Sequence, residues 1–97
     1  MGTAHQVLEY FKDYHSTESM AVKNRELRSL FNLTDRQVRR VVSQLRQEGE
    51  PICSSSYGYW YSTDPDDIEK TLHRLEAQME NMNISITGLK KALGGKG

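Results

Sequence analysis

Between Arg36 and Arg46 the chain carries four arginines, two glutamines and a serine, and no acid. These are the side chains that read nucleic-acid edges. Arginine can hold guanine through two hydrogen bonds, and glutamine can do the same with adenine. At 100° per residue, Val38, Val41, Val42 and Leu45 fall on one face of a helix, and Arg36, Arg40, Ser43 and Gln47 fall opposite. Arg39 and Gln44 lie on the flanks. An ordinary solvated helix face also carries charge, but usually of mixed sign. Just upstream, Lys23, Asn24 and Arg25 stand at a helix start, where N–H groups and basic side chains favour anions such as phosphate.

Other chemistries have weaker support in the residues. His5, His15 and His73 are far apart in sequence and have no Cys at metal-ligand spacing, so each reads as a lone surface histidine. Ser54-Ser55-Ser56 lacks the pattern of a nucleophile elbow, and there is no glycine-rich phosphate loop. Asp64, Asp66 and Asp67 fit the preference of a helix N-terminus for negative charge without a metal. No enzyme, cofactor, metal site or small-molecule ligand is therefore expected.

The 97 residues suffice for one modest core. The single cysteine, Cys53, excludes an internal disulfide and fits a reducing, cytoplasmic setting. No apolar run has the length of a membrane span, and Met1–His5 lacks signal-peptide character. The formal net charge of zero conceals an asymmetry: residues 23–46 hold seven basic and two acidic side chains, a local +5 balanced by −5 elsewhere.

These residues must be positioned by elements that the pattern outlines. A first helix is expected over residues 4–14, with Val7, Leu8, Phe11 and Tyr14 as its apolar face. Met20-Ala21-Val22 reads as a brief strand. A second helix starts with Asn24 as its N-cap and runs to Phe31, burying Leu27, Leu30 and Phe31, and Asn32 suits a left-handed stop. A third helix has Thr34 as N-cap, Gln37 completing a capping box, and Leu33 with Val38 as a hydrophobic staple. It runs to Glu48 and stops at Gly49. Strands 51–54 and 59–61 flank a turn in which Gly58 takes positive φ. Tyr59 and Tyr61 are expected to face the core, leaving Trp60 more exposed. Asp64-Pro65 opens a last helix, whose span from Ile68 to Leu93 is about 39 Å at 1.5 Å per residue. Along it Ile68, Leu72, Leu75, Met79, Met82, Ile86, Leu89 and Leu93 form an unbroken seam at alternating spacings of four and three. Residues 94–97 read as a flexible tail.

The order helix, short strand, helix, turn, helix, hairpin resembles a winged helix-turn-helix DNA-binding domain over residues 4–62. The resemblance is carried by Leu33-Thr34-Asp35-Arg36-Gln37-Val38, by Gly49 and by Tyr57-Gly58-Tyr59-Trp60-Tyr61. With residues 64–93 as a C-terminal dimerisation helix, the chain is similar to small bacterial and phage regulators. The expected fold is thus mainly α with a small β-hairpin: a winged helix-turn-helix plus a long coiled-coil helix. The resemblance implies major-groove reading by helix 34–48. The candidate DNA-binding set is Lys23, Asn24, Arg25, Thr34, Arg36, Gln37, Arg39, Arg40, Ser43, Gln44, Arg46, Ser55, Ser56 and Tyr57. The hairpin tip lacks the Lys or Arg that many wings insert, so wing contact and a purely structural hairpin both stay open. The seam pairs with a second copy, in either orientation, or folds back on its own domain through the turns around Ile68 and Leu72. The expected partners are double-stranded DNA and a second copy, without a membrane. Two alternatives share the sequence: a protein-interaction module using the seam, and a phage replication or packaging component binding DNA with little sequence preference.

Overall fold

The structure is a computed structural model that describes residues 2–94; Met1 and residues 95–97, most of the expected tail, lie outside the described residues. The chain is mainly helical. Its elements run α1 (Thr3–Tyr14), a 3-10 turn (Glu18–Met20), α2 (Asn24–Phe31), α3 (Asp35–Gln47), β1 (Ile52–Ser55), β2 (Gly58–Tyr61) and α4 (Pro65–Gly94). No described helix is long and apolar enough to cross a membrane.

The core forms where α1, α2, α3 and the hairpin meet. Val7, Leu8 and Phe11 from α1, Val22, Leu27 from α2, Val38, Val42 and Leu45 from α3, and Ile52 from β1 make one buried cluster. Their spacing supplies one apolar stripe per helix, and burying those stripes against one another drives the packing. Aromatic edges extend the cluster: Tyr10 meets Phe31 edge-on at 5.7 Å between centroids, and Phe11 meets Tyr59 at 6.5 Å.

Local signals set the ends of α3. Thr34 Oγ1 accepts from the Gln37 N–H, and the Thr34 N–H donates to Gln37 Oε1, so the capping box is complete. Leu33 and Val38 both pack into the core. Asn32 (φ 53°) turns the chain out of α2, and Gly49 (φ 91°) turns it out of α3. Asp64 opens α4, its carboxylate accepting from the Asp66 N–H.

Several expectations are corrected. Lys23, not Asn24, is the N-cap of α2, and no side chain caps that end; Asn24 lies inside the helix with its Oδ1 buried and unpartnered. Residues 20–22 do not form a strand. Glu18–Met20 is a 3-10 turn, and only Val22 pairs with the hairpin, through two hydrogen bonds of 2.8 Å with Tyr59. Leu30 and Tyr14 are exposed. In two turns of α2 only Leu27 and Phe31 reach the core side, and Tyr14, at the end of α1, stands beside Tyr10 outside the cluster. The first strand lies one residue later than expected and the second starts one residue earlier, pairing Ile52 with Tyr61 and Ser55 with Gly58. His15 is half-buried rather than a surface residue. Its Nδ1 hydrogen-bonds the Met20 carbonyl, and its backbone carbonyl accepts from the Tyr61 N–H.

Trp60 is the largest correction. It is only 3% exposed. Tyr59 and Tyr61 do pack toward the helical core, but the opposite face of the hairpin is covered too, because the first turns of α4 lie across it. There Trp60 Nε1 donates to Asp67 Oδ2 at 3.3 Å, and the Ser62 hydroxyl donates to the same oxygen at 2.8 Å.

Gly58 has φ +128°, and a Cβ there would lie 2.4 Å from the Val22 carbonyl oxygen. The hairpin turn and the Val22 pairing thus rest on the same missing side chain. Gly58→Ala is expected to destabilise the fold by about 1–3 kcal/mol from backbone strain alone. A lowered midpoint in urea denaturation at unchanged slope checks this.

Candidate nucleic-acid interface

The N-terminal end of α2, the hairpin-facing flank of α3, the hairpin tip and the third turn of α4 converge on an open groove of about 600 Å³. Its cationic lining is Lys23 and Arg25 from α2, Arg39 and Arg46 from α3, and Arg74 from α4, and no acidic side chain lines it. Ser54, Ser55, Ser56 and Gln78 add hydroxyl and amide groups. The uncapped start of α2 opens beside it, so unpaired N–H groups and the positive end of a helix dipole add to the cationic field. Such a concave concentration of one sign attracts a polyanion.

Each candidate residue is placed differently. Lys23, Asn24, Arg25, Arg39, Arg46, Ser55 and Ser56 line the groove together. Arg36, Arg40, Ser43 and Gln44 are exposed on α3 beyond its edge. Gln47 Nε2 donates to Ser43 Oγ, and Gln44 Nε2 donates to Glu48 Oε2. Thr34 and Gln37 are exposed, but their side chains are engaged in the capping box. Tyr57 is exposed at the hairpin tip, away from the groove lining.

Two arginines have partners within the chain. Arg39 Nη2 contacts Asp35 Oδ2 at 2.8 Å, one helical turn back. Both groups are solvated, so this pair contributes only about a few tenths of a kcal/mol. Arg46 is held more firmly. Its Nε donates to the Ile52 carbonyl at 2.8 Å, and its Nη2 donates to Ser54 Oγ at 3.1 Å. Burial pulls its guanidinium below the ordinary arginine range, though arginine stays charged throughout. Arg46 therefore fixes the hairpin to the end of α3 while adding charge to the groove wall.

Arg74, Gln78 and Asp67 were not among the sequence candidates. On α4, Asp67, Thr71, Arg74 and Gln78 follow one another at spacings of four, three and four, a stripe one position before the apolar seam. That stripe was present in the sequence, but the stronger seam beside it masked it. Thr71 is the pivot of this contact. Its hydroxyl accepts from the Ser54 N–H at 3.1 Å, and it is the one buried side chain of α4. Cys53 sits under the same contact, and its burial pushes the thiol above its ordinary range.

Among the described residues, no three His, Cys, Asp or Glu side chains gather as a metal site requires. Comparison with protein-family models, with curated proteins and with solved structures gave no match.

Two measurements follow. Thr71→Val keeps the shape but leaves the Ser54 N–H without its partner, which is expected to cost about 1–3 kcal/mol and to loosen α4 from the hairpin. Thermal unfolding and amide exchange at Ser54 report both effects. Cys53 is expected to react with a thiol reagent at neutral pH far more slowly in the native chain than in urea. A thiol raised by folding stabilises the neutral form, so its contribution holds below the unfolded thiol pKa and is lost as pH climbs through the higher folded value.

Proposed function

We propose that the chain is a winged helix-turn-helix protein that binds double-stranded DNA as a homodimer and serves as a transcriptional regulator. The observation carrying this reading is the groove whose five cationic side chains come from three helices, with no acid in its lining. In this reading α3 enters the major groove with its exposed face. Arg36, Arg39, Arg40, Ser43 and Gln44 are the base-reading candidates. Lys23, Arg25, Arg46 and Arg74 hold phosphates, and the serines at the hairpin tip add neutral contacts. The homodimer rests on the seam of α4, which is exposed except at the half-buried Leu75: Ile68 is 38% exposed and Leu93 82%. Large apolar side chains in that arrangement favour association.

The test is fluorescence anisotropy of duplex DNA titrated with the chain across a salt series. Affinity is expected to fall steeply with salt. The double change Arg39→Ala, Arg40→Ala is expected to reduce affinity at every salt concentration. Arg74→Ala, far from α3 in sequence, is expected to lower the salt slope by about one if it neutralises one phosphate. No binding at low salt, or variants indistinguishable from the parent chain, refutes the DNA reading.

A further inference from the structure

Apart from the half-buried Leu75 the seam of α4 is exposed, but its surroundings are not uniform. The turns from Pro65 to Glu80 carry five acids and two bases, and those from Asn81 to Gly94 carry Lys90 and Lys91 and no acid. The acidic half is also the half that packs on the hairpin. Beside it, Ile52 and Cys53 on one wall and Ile68, Leu72 and Leu75 on the other enclose an apolar groove of about 350 Å³. The basic half projects as a bare helix.

We propose that this surface receives a second copy of α4 running antiparallel, so that the bare, basic end of each helix covers the apolar groove of the other. This rests on the homodimeric reading and specifies its geometry. The seam spacing is the same read in either direction, so the antiparallel pair matches every residue: Ile68 with the partner's Leu93, Leu72 with the partner's Leu89, Leu75 with the partner's Ile86, and Met79 with the partner's Met82. A parallel pair also uses all eight positions, so apolar matching does not choose.

Charge does. One flank of the seam carries Glu69, Glu76, Asn83 and Lys90, and the other carries Thr71, Gln78, Ser85 and Ala92. A two-fold axis across the helices brings like flanks together. Glu69 then faces the partner's Lys90, twice by symmetry, and Glu76 faces the partner's Asn83. In the parallel arrangement opposite flanks meet, pairing Thr71 with Glu76, Gln78 with Asn83 and Ser85 with Lys90, with no opposite charges. It also lays the two acidic halves side by side and aligns the helix dipoles, both unfavourable. The antiparallel arrangement places the hairpin-facing flanks of both copies, with Thr71 and Gln78, on one side of the two-helix rod. The two Thr71 positions are then about 30 Å apart along it, at 1.5 Å per residue.

Directional disulfide trapping tests the arrangement. Leu72→Cys and Leu89→Cys chains are oxidised with glutathione, alone and mixed. The mixed sample is expected to give the crossed disulfide dimer, and Leu72→Cys alone to give none. Self-crosslinking of Leu72→Cys without the crossed product means a parallel pair and overturns the inference, while leaving the DNA reading intact. A charge swap, read as the dimer dissociation constant by sedimentation, does not depend on trapping. Glu69→Lys is expected to weaken the dimer roughly tenfold, and adding Lys90→Glu to restore it. Failure of the double swap to restore it overturns the inference. A chain that sediments as a monomer at every concentration overturns both the pairing and the homodimer, and the anisotropy experiment then judges DNA binding separately.

Discussion

A two-stranded hairpin is not stable alone in water, and the architecture of this chain depends on how that constraint is met. One face of the hairpin closes the helical core through Tyr59 and Tyr61. The other is closed by the first turns of α4, where Trp60 and Ser62 both donate to Asp67 and Thr71 accepts from Ser54. Because both faces are covered, the hairpin becomes a fixed interlayer. The direction in which α4 leaves the domain follows from it, and so does the position of Arg74 opposite Arg39 and Arg46.

The same interlayer explains the concave basic surface. Its charges come from residues as far apart in the chain as Lys23 and Arg74, and no single helix face supplies them. Arg46 shows how the two roles join. Its guanidinium bridges the end of α3 to β1, so the residue that adds charge to the groove also maintains its shape. Neutral overall charge is compatible with this, because the acids are displaced to α4 and to the outer surfaces.

Much of the helical layout was legible in the residues. The Thr34–Gln37 box, Asn32, Gly49, Gly58 and Asp64-Pro65 are local devices whose effect depends on near neighbours, and the structure has each performing its expected turn or cap. What could not be read was set by distant packing. Trp60 looked solvent-facing because an alternating strand normally has one dry side, and nothing local announced that α4 would dry the other. Asn24 is a good capping residue by type, yet tertiary packing begins the helix one residue earlier. Leu30 and Tyr14 follow helical periodicity but lie where no second element covers them. In the candidate site, the arginines of α3 were evident from composition, whereas Arg74 and Gln78 became visible only once α4 was laid against the hairpin.

Leu75 stands at a crossing point. It belongs to the seam, and its side chain also lines both the basic groove and the apolar groove. A single half-buried residue therefore forms part of three surfaces. Anything that repositions it from one side alters the walls of the other two. Thermodynamic reciprocity then requires that a ligand in the basic groove and an occupant of the seam, if they favour different placements of Leu75, change each other's affinity by the same factor. Under that condition the coupling would span the width of one side chain and need no change of fold.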